Sequence, residues 1–102
     1  MPYIRVSIMK PKTGSDVEVR RILDDLAGYF ANQPGYLGGF RIDSHDGTGL
    51  LGRITTWSDE AAADQAAQTD HVLAIRSQLN PVVEEGSHEE HAFQGTEIAP
   101  AG

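Results

Sequence analysis

"ITTWSDEAAADQAAQTDH", residues 54–71, holds a β-branched run, the chain's only tryptophan, an acidic alanine-rich segment and a histidine. Alternation through Ile54 and Trp57 reads as the end of a strand. Ser58 then stands at a helix start, with Asp59 and Glu60 placed to complement the helix dipole. The alanines of 61–67 let such a helix approach a sheet closely. "TD" at 69–70 reads as a break and a second cap, after which "HVLAIRSQL" resumes a helix with Val72, Ile75 and Leu79 on one side. Asn80 and Pro81 end it.

The same reasoning extends in both directions. "YIRVSIM", residues 3–9, alternates and predicts the first strand, closed by Pro11. Ser15 and Glu18 have capping-box spacing. Val19, Ile22, Leu23, Leu26 and Phe30 then form one apolar helical stripe, with Arg20–Asp24 and Arg21–Asp25 as pairs on the other face. "NQPG" stops this helix near Asn32. "YLGGFRID", 36–43, and "LLGRITTW", 50–57, read as a hairpin around the turn "SHDGTG". Near residues 88–96 one last strand fits. The order β-α-β-β-α-β predicts an α+β, ferredoxin-like domain, a four-stranded antiparallel sheet with helices on one face. Residues 1–98 form this single domain, and 99–102 are expected to be a flexible tail.

With 102 residues and a net charge of −7, the chain is one small acidic domain. Such a surface repels phosphate backbones and anionic membranes, so neither nucleic acid nor a membrane is an expected partner. Cysteine is absent, which excludes disulfides, thiolate metal sites and a Cys nucleophile and agrees with a cytoplasmic location. No apolar run approaches the ~20 residues of a membrane span, and "MPYIRVSIMKP" lacks the form of a signal peptide.

Strand parity separates two faces. Ile4, Val6, Ile8, Phe40, Ile42, Leu50 and Ile54 share one parity and are expected to meet the helices. Arg5, Ser7, Arg41, Asp43, Leu51, Arg53, Thr55 and Trp57 share the other. Three of eight basic residues thus project from one face of an acidic protein. They either receive an anionic or oxygen-rich small molecule in a cavity between two sheets, or pair with Asp43 and with carboxylates of a partner.

"QPGYLGGFRID", "GLLGRITTWSDEAAADQA" and "TDHVLAIRSQLNPV" together resemble the antibiotic biosynthesis monooxygenase family of dimeric α/β barrels, over roughly residues 3–96. The resemblance implies a homodimer closed by its two sheets, with a site inside each protomer. It also implies, for some members, oxidation of polycyclic phenols by molecular oxygen with no metal or flavin cofactor. A haem-degrading branch places an Asn on the first strand and a Trp in the second helix. Ser7 stands at the first position here, and the helix after Ser58 carries no aromatic residue.

The candidate site is therefore His71 as catalytic base, with Arg5, Ser7, Arg41, Arg53 and Trp57 binding a small aromatic or phenolic substrate. Each has a plain structural alternative. Trp57 can anchor the barrel end, and His71 can cap a helix through a carbonyl or Asp70. "HEEH", 88–91, lacks the i,i+4 spacing of a helical zinc motif and would point its histidines to opposite faces of a strand. It is read as a charged edge strand, with no metal site. His45 is read as a surface turn residue. The alternative to an enzyme is a non-catalytic, ligand-binding or structural dimeric barrel.

Overall fold

The computed structural model describes residues 1–99; part of the tail expected to be flexible, 100–102, lies outside the described residues. The elements are β1 (Tyr3–Met9), α1 (Asp16–Phe30), β2 (Tyr36–Asp43), β3 (Leu51–Trp57), α2 (Glu60–Ala67), α3 (Asp70–Ser77) and β4 (Glu89–Gln94). All strand pairings are antiparallel and the sheet order is β2-β3-β1-β4. This is the ferredoxin-like arrangement, its second helical unit split in two at Thr69. That threonine accepts a hydrogen bond from the Val72 amide at 3.3 Å and caps α3.

Two caps differ from expectation. Ser15 flanks α1 but makes no side-chain cap, and Glu18 instead binds Arg21 at 2.5 Å. The charge-assisted pair displaces the weaker reach back to the backbone. At α2 the cap is Asp59, not Ser58; its carboxylate accepts from the Ala62 amide at 2.8 Å. Arg21 does pair with Asp25 at 2.8 Å, whereas Arg20 leaves Asp24 for Asp43 at 3.1 Å.

The main correction concerns the two sheet faces. Helices cover the parity that carries Arg5, Ser7, Arg53 and Trp57. The buried core joins Met9, Leu51 and Trp57 to Val19, Ile22, Leu23, Leu26 and Phe30 of α1, and to Ala63, Ala66, Val72 and Ile75 of α2 and α3. The β-branched parity lies on the uncovered side. Phe40 there is 72% exposed and Phe93 54%, and Phe40↔Ile54 and Ile4↔Phe93 are registered pairs. Helical apolar stripes need bulk opposite them, and Met9, Leu51 and Trp57 supply it at the strand ends.

Glycines serve the strand contacts within the sheet. A bulge separates Tyr36 from Gly38. A side chain at Gly52 would sit 2.1 Å from the Ser7 carbonyl oxygen. Trp57 is sandwiched edge-on between Phe30 at 5.6 Å and Tyr36 at 5.5 Å, and its indole N–H donates to Thr55 Oγ1 at 3.0 Å. Trp57→Ala is expected to cost about 3–5 kcal/mol, measured by urea denaturation. A cost below about 1 kcal/mol would show that α1 does not depend on this ring.

Candidate active site

β1 and β3 floor a cavity of about 290 Å³ beneath the helices, at the small end of the range for ligand pockets. Phe30 of α1, Trp57 of β3, and Ala63 and Ala67 of α2 supply its apolar lining. Arg5, Ser7, Arg53, Arg76 and Glu90 supply its polar groups. Register explains the grouping, because Ser7 lies opposite Arg53 on one side and opposite Glu90 on the other. The small α2 residues leave the space that larger side chains would fill.

The three arginines singled out by strand parity have different fates. Arg5 forms an ion pair with Asp64 of α2. Arg41 pairs with Asp24 of α1 at 2.8 Å, at the β2 edge and outside the cavity lining. Arg53 alone is buried, with 7% of its surface exposed. Its Nε is buried without a hydrogen-bond partner, and among the described residues no ion pair includes it. Burial depresses its pKa to about 10, partly opposed by Glu90, and the neighbouring charges of Arg76 and Arg5 depress it further. It therefore remains a cation at neutral pH, with its guanidinium 5.0 Å from the Phe30 ring centre.

Charge in the cavity does not cancel. Asp64 offsets Arg5, and Glu90 offsets Arg76 at 2.7 Å. Arg53 is left with one positive charge and a free donor at the cavity. Such a site is suited to one anionic oxygen. Glu90 itself is held at about 2, first by its hydrogen bond with His88 and then by Arg76 and Arg53, against the opposing effect of burial.

Ser7 is buried, and its Oγ lies 2.7 Å from His88 Nε2. The same nitrogen is 3.5 Å from Glu90 Oε1. The two histidines of "HEEH" diverge, as strand geometry requires: His88 turns to Ser7, while His91 stacks near Phe93 with ring centres 6.3 Å apart. No group of three or more potential ligands within metal-binding reach occurs among the described residues.

His71 is not part of this constellation. It is exposed in the first turn of α3 and stacks on Tyr29 at 4.3 Å, outside the cavity lining. Sequence reasoning also missed Phe30, Arg76, Glu90, Asp64 and His88. The detectable signal was complementary charge: Asp24 and Asp64 on the helices answer Arg41 and Arg5 on the strands.

Residues 2–78 match the family described as antibiotic biosynthesis monooxygenase. The chain belongs to that family. No curated protein matches it in sequence. Among solved structures, Rv0793 from Mycobacterium tuberculosis is 18% identical with a TM-score of 0.85, over 98% of this chain and 100% of that one. SnoaB, a cofactor-independent oxygenase from Streptomyces nogalater, is 20% identical with a TM-score of 0.84, over 98% of both chains. A conserved protein from Methanosarcina mazei is 17% identical with a TM-score of 0.85, over 94% of both. At these identities the likeness establishes the fold. No described helix of this family member is long and apolar enough to cross a membrane.

Two outcomes follow for stability. Glu90 has a folded pKa of about 2 against an ordinary 4.5, so its contribution is complete above about 4.5 and lost as pH falls toward 2. Glu90→Gln should flatten the acid limb of a stability profile in that window; an unchanged limb would refute the assignment. Burying the Arg53 charge opposes folding at neutral pH, since its folded pKa is depressed. Arg53→Met should therefore fold at least as stably as the parent, by up to about 3 kcal/mol. A less stable variant would mean that Arg53 is structurally paired.

Proposed function

We propose that this protein is a cofactor-independent monooxygenase acting on a small phenolic or hydroxylated aromatic compound bound between sheet and helices. The observation that carries the reading is the buried, unpartnered Arg53 facing a cavity with Phe30 and Trp57 in its lining. Planar apolar walls accept an aromatic ring, and the uncompensated guanidinium stabilises its oxygen as phenolate. Ionisation makes the ring electron-rich. The phenolate passes one electron to molecular oxygen, giving a phenoxyl radical and superoxide. Their recombination forms a C–O bond and a peroxide anion, which takes up one proton from solvent; loss of water, from the O–O bond and the ring C–H, then yields a quinone. SnoaB is itself described as a cofactor-independent oxygenase, which supports this reaction class for a chain of the same fold and family.

His71 and Arg41 lie outside the lining of this cavity, and Arg41 pairs with Asp24, so this reading gives neither a substrate contact. Ser7, Arg53 and Trp57 remain as binding residues, with Arg5 at the α2 side, held by Asp64. The paired states of Arg5 and Arg41 are what a non-catalytic ligand-binding barrel would also show, and the experiment below separates the two.

The partner in this reading is a second copy. Ile4, Val6, Ile8, Phe40, Ile42, Ile54 and Phe93 form a continuous apolar sheet face without helical cover. A face of this kind on a small soluble domain marks an interface. Pairing two such faces closes a barrel and leaves each cavity inside its own protomer. A cytoplasmic location is consistent with the absence of cysteine.

Oxygen uptake with an anthrone or a reduced naphthoquinone is the direct test. Arg53→Gln should lower kcat/KM by about 10–100-fold, the worth of a charge-assisted hydrogen bond. Arg41→Gln and His71→Ala should remain within about twofold. Binding of these compounds without oxygen uptake would leave the non-catalytic reading standing. Phe40→Asp should convert a dimer to monomers in sedimentation equilibrium, and a parent protein that sediments as a monomer would remove the partner from the account.

A further inference from the structure

The mechanism above needs an acceptor for the phenol proton, and a guanidinium cannot serve. Arg5, Arg53 and Arg76 are cations, and the Glu90 carboxylate is already engaged by Arg76 at 2.7 Å. Tyr3, Ser7, Thr55 and His91 also line the cavity. Thr55 Oγ1 is taken by the Trp57 indole, His91 shares the uncovered parity of Val6 and Phe93, and among the three hydroxyls Ser7 Oγ is the one backed by an imidazole. His88 Nε2 lies 2.7 Å behind it. His88 does not line the cavity; it lines two surface grooves on the other side, one with Arg76 and Asn80, one with Lys12, Glu84 and Glu85. The hydroxyl thus stands between the cavity and an imidazole that lines the surface grooves.

We propose that Ser7 and His88 form a proton relay leading from the substrate's hydroxyl to solvent. The proposal rests on the phenol-binding reading. In the resting state the imidazole carries its proton on Nδ1, and Ser7 donates to the bare Nε2. On ionisation the substrate O–H bond breaks and its proton passes to Ser7 Oγ. The original Ser7 proton passes to Nε2. Electrons stay with their heavy atoms throughout, so the products are a phenolate and an imidazolium. Each new charge has a counter-charge in place: Arg53 for the phenolate, and Glu90, 3.5 Å from Nε2, for the imidazolium. His88 then returns its proton through the grooves. The groups facing it are Ser7 from β1, Glu90 from β4, Arg76 from α3, and Lys12, Glu84 and Glu85 from the flanking loops. Ser7 touches the substrate. His88 acts through Ser7, so it is a positioning and relay residue.

This arrangement is testable without turnover, using p-nitrophenol, whose absorption changes on ionisation. With the probe bound to the parent protein under nitrogen, its ionisation is followed by absorbance as pH is raised. Ser7→Ala and His88→Gln should each raise the apparent pKa of the bound probe by about one unit, a tenfold change in equilibrium. Both should bind the preformed anion, at high pH, within about twofold of the parent. His91→Gln, at the cavity rim without contact to Ser7, should leave the ionisation curve in place. If the probe binds and neither Ser7→Ala nor His88→Gln moves its ionisation, the relay is wrong while the phenol site stands. If the probe does not bind the parent at all, the phenol reading fails and the relay falls with it.

Discussion

The edge of the Trp57 indole meets Phe30 at 5.6 Å, and this contact fixes which side of the sheet the helices roof. Phe30 is the last residue of the α1 stripe, and Trp57 the last residue of β3. Once they meet, α1 lies across the parity that contains Arg53, and α2 follows directly from the end of β3. The arginine face becomes interior. The greasier face is left outside. Cavity, buried charge and uncovered apolar surface all descend from that choice.

Burying Arg53 works against folding, and natural cores seldom hold a cation without a carboxylate. The two neighbouring arginines follow the usual rule. Arg5 finds Asp64, and Arg41 finds Asp24. The exception stands where the helix layer presents Phe30, Ala63 and Ala67 and no carboxylate, so the space and the unpaired charge coincide. A preorganised donor acts on a developing anion with little reorganisation. Glu90 and Arg76 complete the wall by tying β4 to α3 at 2.7 Å, which gives an otherwise exposed edge strand a role in shaping the site.

The element order and most strand limits were legible from alternation and helical spacing, because these depend on neighbours within the chain. Residues 3–9 and 36–43 read as strands to the residue. Local competition between side chains was less legible: Glu18 chose Arg21 over the Ser15 backbone, and Asp59 took the cap from Ser58. In the site, Arg53, Ser7 and Trp57 were found by parity, while His88 and Glu90 were read only as edge charge. A strand as short as β4 shows its direction in sequence but not its register, and register alone sets Glu90 opposite Ser7.

By itself the sequence determined the ferredoxin-like order, the split of the second helical unit at Thr69 and the existence of two unlike sheet faces, since period and capping are local properties. Only the tertiary structure decided which face the helices cover. Both faces hold apolar residues, and the choice depends on how large side chains on elements distant in the chain fill space together. From that packing came the separation of Arg53 from its paired neighbours and the meeting of Ser7 with His88, 81 residues apart.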